Sequence, residues 1–181
     1  MTETVGWTDG LALDCDVLAY SACCLLVDSA ESKEAARDFV GSTLENWELH
    51  DLAPRARAVV DELVGNALTH GPRQLCPQPF PSAGMVTLLR DGRDLTCAVF
   101  DPGTATPRLS GRGVGLRVVE AASDVWGWTA PGLSGKAVWG YFSGSGTGAV
   151  VPEPLVEQLL MMVEIFTGSS DPRTITAHPT S

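Results

Sequence analysis

Basic charge is what this chain has least of. Twelve Lys and Arg stand against 22 Asp and Glu, a formal net charge of −10 over 181 residues. A general nucleic-acid binder needs a cationic surface to displace counterions from phosphates, so that class is excluded. Docking on anionic lipid is excluded for the same reason. A basic protein partner suits such a surface, although charge alone names none. Long apolar runs are missing as well. The stretch "LALDCDVLAYSACCLLV" (11–27) is interrupted by Asp14 and Asp16 and is short for a bilayer span. It reads as material for one or two strands, not as a signal or anchor, and no membrane association is expected.

Paired cysteines are also absent. The five present (Cys15, Cys23, Cys24, Cys76 and Cys97) are odd in number and none forms a C-x-x-C. A secreted disulfide framework looks different. The three histidines (His50, His70, His178) stand far from any cysteine pair, which argues against zinc. Free or buried thiols in a reducing cytosol are the expectation.

What is present is a globular composition with clear punctuation. Hydrophobic residues make up 44% and charged residues 19%, and the length fits one domain with extensions. Ala35, Ala36, Phe39, Val40, Leu44 and Trp47 recur at helical spacing, which predicts a helix over 31–47. A second helix is predicted over 53–70, with Pro54 in its first turn and Gly71-Pro72 ending it. Four prolines in "PRQLCPQPFPSAG" mark a loop. "MVTLLRDGRDLTCAVFD" reads as two strands about an Asp91-Gly92 turn. A Gly/Pro/Thr loop, the helix "LRVVEAASDVW" and the strands "VWGWTA" and "KAVWGYF" follow. Then come a flexible linker "SGSGTG", the apolar helix "PEPLVEQLLMMVEIF" and a tail, "TGSSDPRTITAHPTS", expected to be disordered. Strands and helices do not alternate. The prediction is α+β, a two-layer sandwich with a mostly antiparallel mixed sheet and helices on one face.

Four stretches could carry chemistry. Glu62, Asn66 and His70 in "DELVGNALTHG" fall in a helical stripe about 80° wide, bordering the apolar stripe of Val60, Leu63, Val64 and Ala67. A carboxylate there can act as a general base. A carboxamide oxygen one turn on can ligate Mg²⁺. Solvation of Glu62 and a helix-end role for His70 are the plain alternatives. Asp101 in "FDPG" ends a strand and can accept a hydrogen bond from an exocyclic amine, with Gly103 allowing close approach; Asp-Pro-Gly is also a common turn. "SGRGVGL" (110–116) leads glycines into a helix start, an arrangement that can bind anions. Its spacing is not G-x-G-x-x-G, and no Walker lysine follows. Gly135-Lys136 precedes a strand as a turn or a phosphate contact.

In this order, "ELVGNALTHG", "VFDPG", "GRGVGLRVVEAASDVWGW" and "GKAVW" resemble the GHKL ATPase superfamily, and more narrowly its bacterial anti-sigma-factor serine kinase type. "ARDFVGSTLENWEL" is similar to that family's first helix. The resemblance covers about 24–143, leaving an extension over 1–23 and a linker, apolar helix and tail over 144–181. It implies a Bergerat-type sandwich binding ATP with Mg²⁺. Glu62 would be the general base and Asn66 would hold Mg²⁺. Asp101 would bind the adenine amine, with Gly103 against the base. Gly111, Gly113 and Gly115 would cradle phosphates, with Arg112 nearby and Lys136 in the last motif. The implied partners are a sigma factor and an anti-anti-sigma antagonist phosphorylated on serine. Departures from the pattern are a short segment from Asp101 to Gly111, Ala105 in place of a second glycine, and Ala137 where a threonine is frequent. These keep open a second reading, an ATP-sensing interaction module with little or no catalysis. The apolar C-terminal helix fits packing on the domain's own sheet, or else a homodimer or partner surface.

Overall fold

A computed structural model of the chain describes residues 20–27, 29–70, 84–103, 107, 115–129, 135–146, 150–167 and 175–179. Strand β1 (Ser21–Leu26) leads into helices α1 (Ser32–Asn46) and α2 (Ala53–His70), close to their predicted bounds. In α1 the buried positions Ala36, Val40, Gly41 and Leu44 follow the helical period and face α2 and the core. Gly41 lies under the Arg57 guanidinium; a Cβ there would come within 1.9 Å of Arg57 Nη2, so a larger residue would require that side chain to move. The helix ends where Glu48 turns left-handed (φ 56°) and Leu49 N–H returns to the Leu44 carbonyl at 2.9 Å. This is the usual geometry of a helix C-terminus, with glutamate where glycine is commoner.

The hairpin follows as β2 (Gly84–Asp91) and β3 (Asp94–Asp101), turned by Gly92 at φ 58°. Helix α3 (Gly115–Ala122), β4 (Val125–Thr129) and β5 (Lys136–Phe142) complete the domain core. The predicted third helix is shorter than its apolar pattern, because Val125 and Trp126 already belong to β4. Helix α4 (Glu153–Thr167) and strand β6 (Ile175–Pro179) close the chain. The strands form one sheet in the order β1-β2-β3-β5-β4-β6, every neighbouring pair antiparallel. The fold is α+β, as the element order predicts.

The period-2 alternation of the strands assigns the two faces. Val86, Leu88, Leu95, Cys97, Val99, Trp126 and Val138 point toward α1, α2 and α3, where they meet Val59, Val60, Leu63, Val64, Ala67 and Val119. Met85, Leu89, Ala98, Phe100, Ala137, Trp139 and Tyr141 point the other way and meet Leu155, Leu159, Met162 and Val163 of α4. The three helices of one face therefore stand as expected, but α4 covers the opposite face. A sheet with large apolar side chains on both sides needs a cover on each. The apolar C-terminal helix is that cover, not a free surface.

Two further expectations are corrected. The tail is not wholly disordered: β6 pairs with β4, His178 opposite Trp126 and Thr176 opposite Trp128. The His178 ring stacks on both indoles, with centroids 5.1 Å from Trp126 and 4.9 Å from Trp128. Gly127 is what lets the tail lie so close, since a Cβ there would stand 1.8 Å from the Thr176 carbonyl oxygen. The start of the predicted linker is also tied down. Ser143 N–H donates to Asp124 and Gly144 N–H to Asp94. Of residues 1–23, the structure describes Tyr20 to Cys23; Ser21, Ala22 and Cys23 belong to β1.

Candidate functional site

The end of β3 and the start of β5 are register partners, and Asp101 faces Lys136 directly across the ladder. Both share the face of Val99 and Val138, one step further along each strand, so they open toward the α2 side of the sheet. The pair is nearly enclosed, with side-chain exposures of 10% for Lys136 and 9% for Asp101. Lys136 Nζ donates to Asp101 Oδ1 at 2.9 Å and to the Gly103 carbonyl at 3.0 Å. Gly103 N–H donates to the same Oδ1 at 2.7 Å. Asp101 Oδ2 has no bond among the described residues. A buried carboxylate needs a counter-charge and hydrogen bonds, and this one has both while keeping one oxygen free.

The local backbone is built around this cluster. Gly135 sits at φ 115°, and a Cβ there would lie 2.1 Å from the Asp101 carbonyl oxygen, so only glycine lets the chain enter β5 past Asp101. Thr129, at the end of β4, accepts the Ala137 N–H on its hydroxyl at 2.8 Å and fixes the first residues of β5. Neither the Asp101–Lys136 partnership nor the part of Thr129 was read from the sequence. The signal that could have exposed the pair is an acid ending one strand and a base starting another. Ala137 faces α4, and position 136 is the one beside Asp101.

Glu62 and Asn66 lie one turn apart on α2, both half-buried, beside the buried Leu63, Val64 and Ala67. Neither forms a hydrogen bond or ion pair among the described residues. By contrast Asp61, one position away, is held by Arg37 of α1 through bonds of 2.8–3.1 Å. His70 closes α2, and its side chain lies outside the described residues. So do Ala105, Gly111, Arg112 and Gly113. Gly115 is the first residue of α3. The far end of α3 is clamped: Arg55 donates to the Ala122 carbonyl and to Asp124, each at 2.8 Å, and its guanidinium stands 5.3 Å from the Phe142 ring centroid.

The cluster offers one unbonded acceptor oxygen, on Asp101, and no assembled metal site among the described residues. Asp101 Oδ2 is an acceptor in a nearly dry position, where an exocyclic amine gains most from pairing. Among the described residues no group of three His, Cys, Asp or Glu side chains could hold a metal ion. A Mg²⁺ ion at Asn66 would therefore draw its remaining ligands from phosphates and water, as this ion commonly does. Among the described residues no helix is long and apolar enough to cross a membrane.

No protein-family model matches the chain, and no curated protein matches it significantly. Four solved chains match in structure. One is the crystal structure of the RsbU and RsbW domains of Rv1364c from Mycobacterium tuberculosis, with a TM-score of 0.52 and 18% identity. The match covers 67% of this chain and 32% of that one. The likeness is one of fold.

Proposed function

We propose that the chain is an ATP-binding regulatory protein that acts through protein partners, as an anti-sigma-type serine kinase. The observation that carries this reading is the Asp101–Gly103–Lys136 cluster. It holds a buried carboxylate rigidly, with one oxygen spare, on the sheet face beneath α2. In the proposed arrangement Asp101 takes the adenine amine and Gly103 lies against the ring. Asn66 reaches the metal that accompanies the triphosphate. The first turn of α3, beginning at Gly115, offers backbone N–H groups to phosphate oxygens. Mg²⁺ bound with ATP would neutralise charge on the transferring phosphoryl group. Glu62 takes the proton of the attacking serine hydroxyl.

The short span from Asp101 to Gly111 favours a second reading, an ATP-sensing switch that binds its partner without phosphorylating it. One experiment tests the reading and separates the two versions. Nucleotide-free protein is titrated with ATP with and without Mg²⁺, for wild type and Asn66→Ala. Wild type and Glu62→Gln are then incubated with γ-labelled ATP and proteins carrying an exposed acceptor serine. Mg²⁺-assisted binding that weakens in Asn66→Ala supports the nucleotide site. Transfer lost in Glu62→Gln with binding intact supports the kinase. Binding without transfer in wild type supports the switch, and absence of binding overturns both.

A further inference from the structure

We infer that the outer edge of β4 is a docking site for an extended segment of a protein partner, and that the chain's own strand β6 occupies it as a tethered competitor. The segment this site fits carries a planar side chain opposite Trp126 and small residues beside it. The inference is independent of the nucleotide reading.

Strand β6 closes one edge of the six-stranded sheet and pairs with β4 alone. It is five residues long and is tethered to α4 through residues 168–174. Thr176 and Ala177 are exposed, while His178 is half-buried and stacks on both indoles. Among its described side chains, His178 is therefore the anchor, and main-chain pairing supplies the rest. Strand addition works in this way: backbone bonds give affinity, and pockets for alternate side chains give specificity. Gly127 completes the groove, because its missing side chain leaves room for the Thr176 carbonyl of the incoming backbone. Trp126, Gly127 and Trp128 all belong to β4, so another strand of the same pattern can use them.

The fit of β6 is incomplete. His178 Nε2 is buried and bonds to nothing among the described residues. In a released tail that nitrogen is hydrated, so its desolvation weighs on the docked state alone. A short edge strand with one anchoring ring opens more readily than the centre of the sheet. Opening uncovers unpaired main-chain groups beside two indoles, and such edges pair with other chains.

The test uses the full chain, with a fluorescent peptide of the tail sequence, RTITAHPTS (173–181), as the probe. Adjacent N–H groups of a strand point to opposite edges, so Thr176→Pro/Ala177→Pro removes a donor directed at β4 and should release β6. The peptide should bind this variant about tenfold or more tightly than wild type, whose sites are mostly filled by the tethered strand. The same peptide carrying His178→Ala should bind the variant about tenfold more weakly. In wild type, the amides of Thr176 to His178 should exchange faster than those of β3 and β5. Peptide binding that is absent from both proteins, equal in both, or indifferent to His178 overturns the inference. So does exchange in β6 as slow as in β3, a measurement that needs no variant. A wild type that sediments as a dimer beside a monomeric variant would place β6 on a second copy and overturn the tethered competitor.

Discussion

Replacing Lys136 by methionine isolates the energetic heart of the site. Methionine fills most of the same volume but removes the ammonium. Asp101, only 6% exposed, then loses its counter-charge, and the Gly103 carbonyl loses its donor. Removing one partner of a buried ion pair costs about 3–5 kcal/mol, because the remaining charge stays desolvated and alone. For a domain of this size about 2–4 °C is lost per kcal/mol. The melting temperature of nucleotide-free Lys136→Met should therefore fall by roughly 6–20 °C. The double variant Asp101→Asn/Lys136→Met removes both charges and should recover most of the loss. Its remaining deficit should be about 1–2 kcal/mol, from hydrogen bonds no longer made. Thermal unfolding followed by circular dichroism, with urea titration for the free energies, measures all three proteins. A fall below about 2 °C in the single variant, or a double variant no more stable than the single, would refute the reasoning. Either result would mean that the pair is solvated, and a solvated pair contributes little.

Three further outcomes follow from the packing and the hydrogen bonds. Leu159, 3% exposed on α4, packs against the sheet, so Leu159→Ala should cost about 2–5 kcal/mol in urea unfolding; under 1 kcal/mol would mean that α4 does not cover that face. Gly127→Ala places a methyl group against the Thr176 carbonyl and should detach β6, seen as faster amide exchange at Thr176 to His178 and altered tryptophan emission; unchanged exchange would contradict the strand. Tyr141 is pushed up to about 12 by burial and by its hydrogen bond to Asp94. Its folded value lies above the unfolded one, so its contribution is complete below pH 10 and is lost as pH rises from 10 toward 12. Spectrophotometric titration should show one tyrosine still protonated at about pH 11, and a Tyr141→Phe variant should lose less stability across that window.

Legibility in the sequence followed the range of the interactions. Helices α1 and α2 and the β2–β3 hairpin were readable because the apolar period, Pro54 and Asp91-Gly92 are local signals. Glu62 and Asn66 were readable as a pair because four-residue spacing on a helix needs no knowledge of the rest of the fold. Strand β6 was missed because "ITAHP" has no apolar alternation. It is specified by the edge of β4 about fifty residues earlier, through main-chain bonds and a histidine between two tryptophans. The place of α4 on the second face was legible only as an apolar excess. Choosing between a partner's surface and the domain's own sheet required knowing that Phe100, Trp139 and Tyr141 point that way. Asp101 was read for adenine and Lys136 for phosphate, yet they face each other. The register between β3 and β5, strands far apart in sequence, puts them there.

The most direct test of the central claim is calorimetric titration of nucleotide-free protein with ATP and Mg²⁺, wild type against Asp101→Asn. Asparagine keeps an oxygen for Lys136 and Gly103 but turns an N–H₂ toward the adenine amine, so the base should be rejected; the unpaired Lys136 ammonium should also lower the melting temperature. The account predicts micromolar-range binding in wild type that is lost in Asp101→Asn, titrated at a temperature where circular dichroism shows the variant folded. Equal affinity in the two proteins, or no heat of binding in wild type, would contradict it.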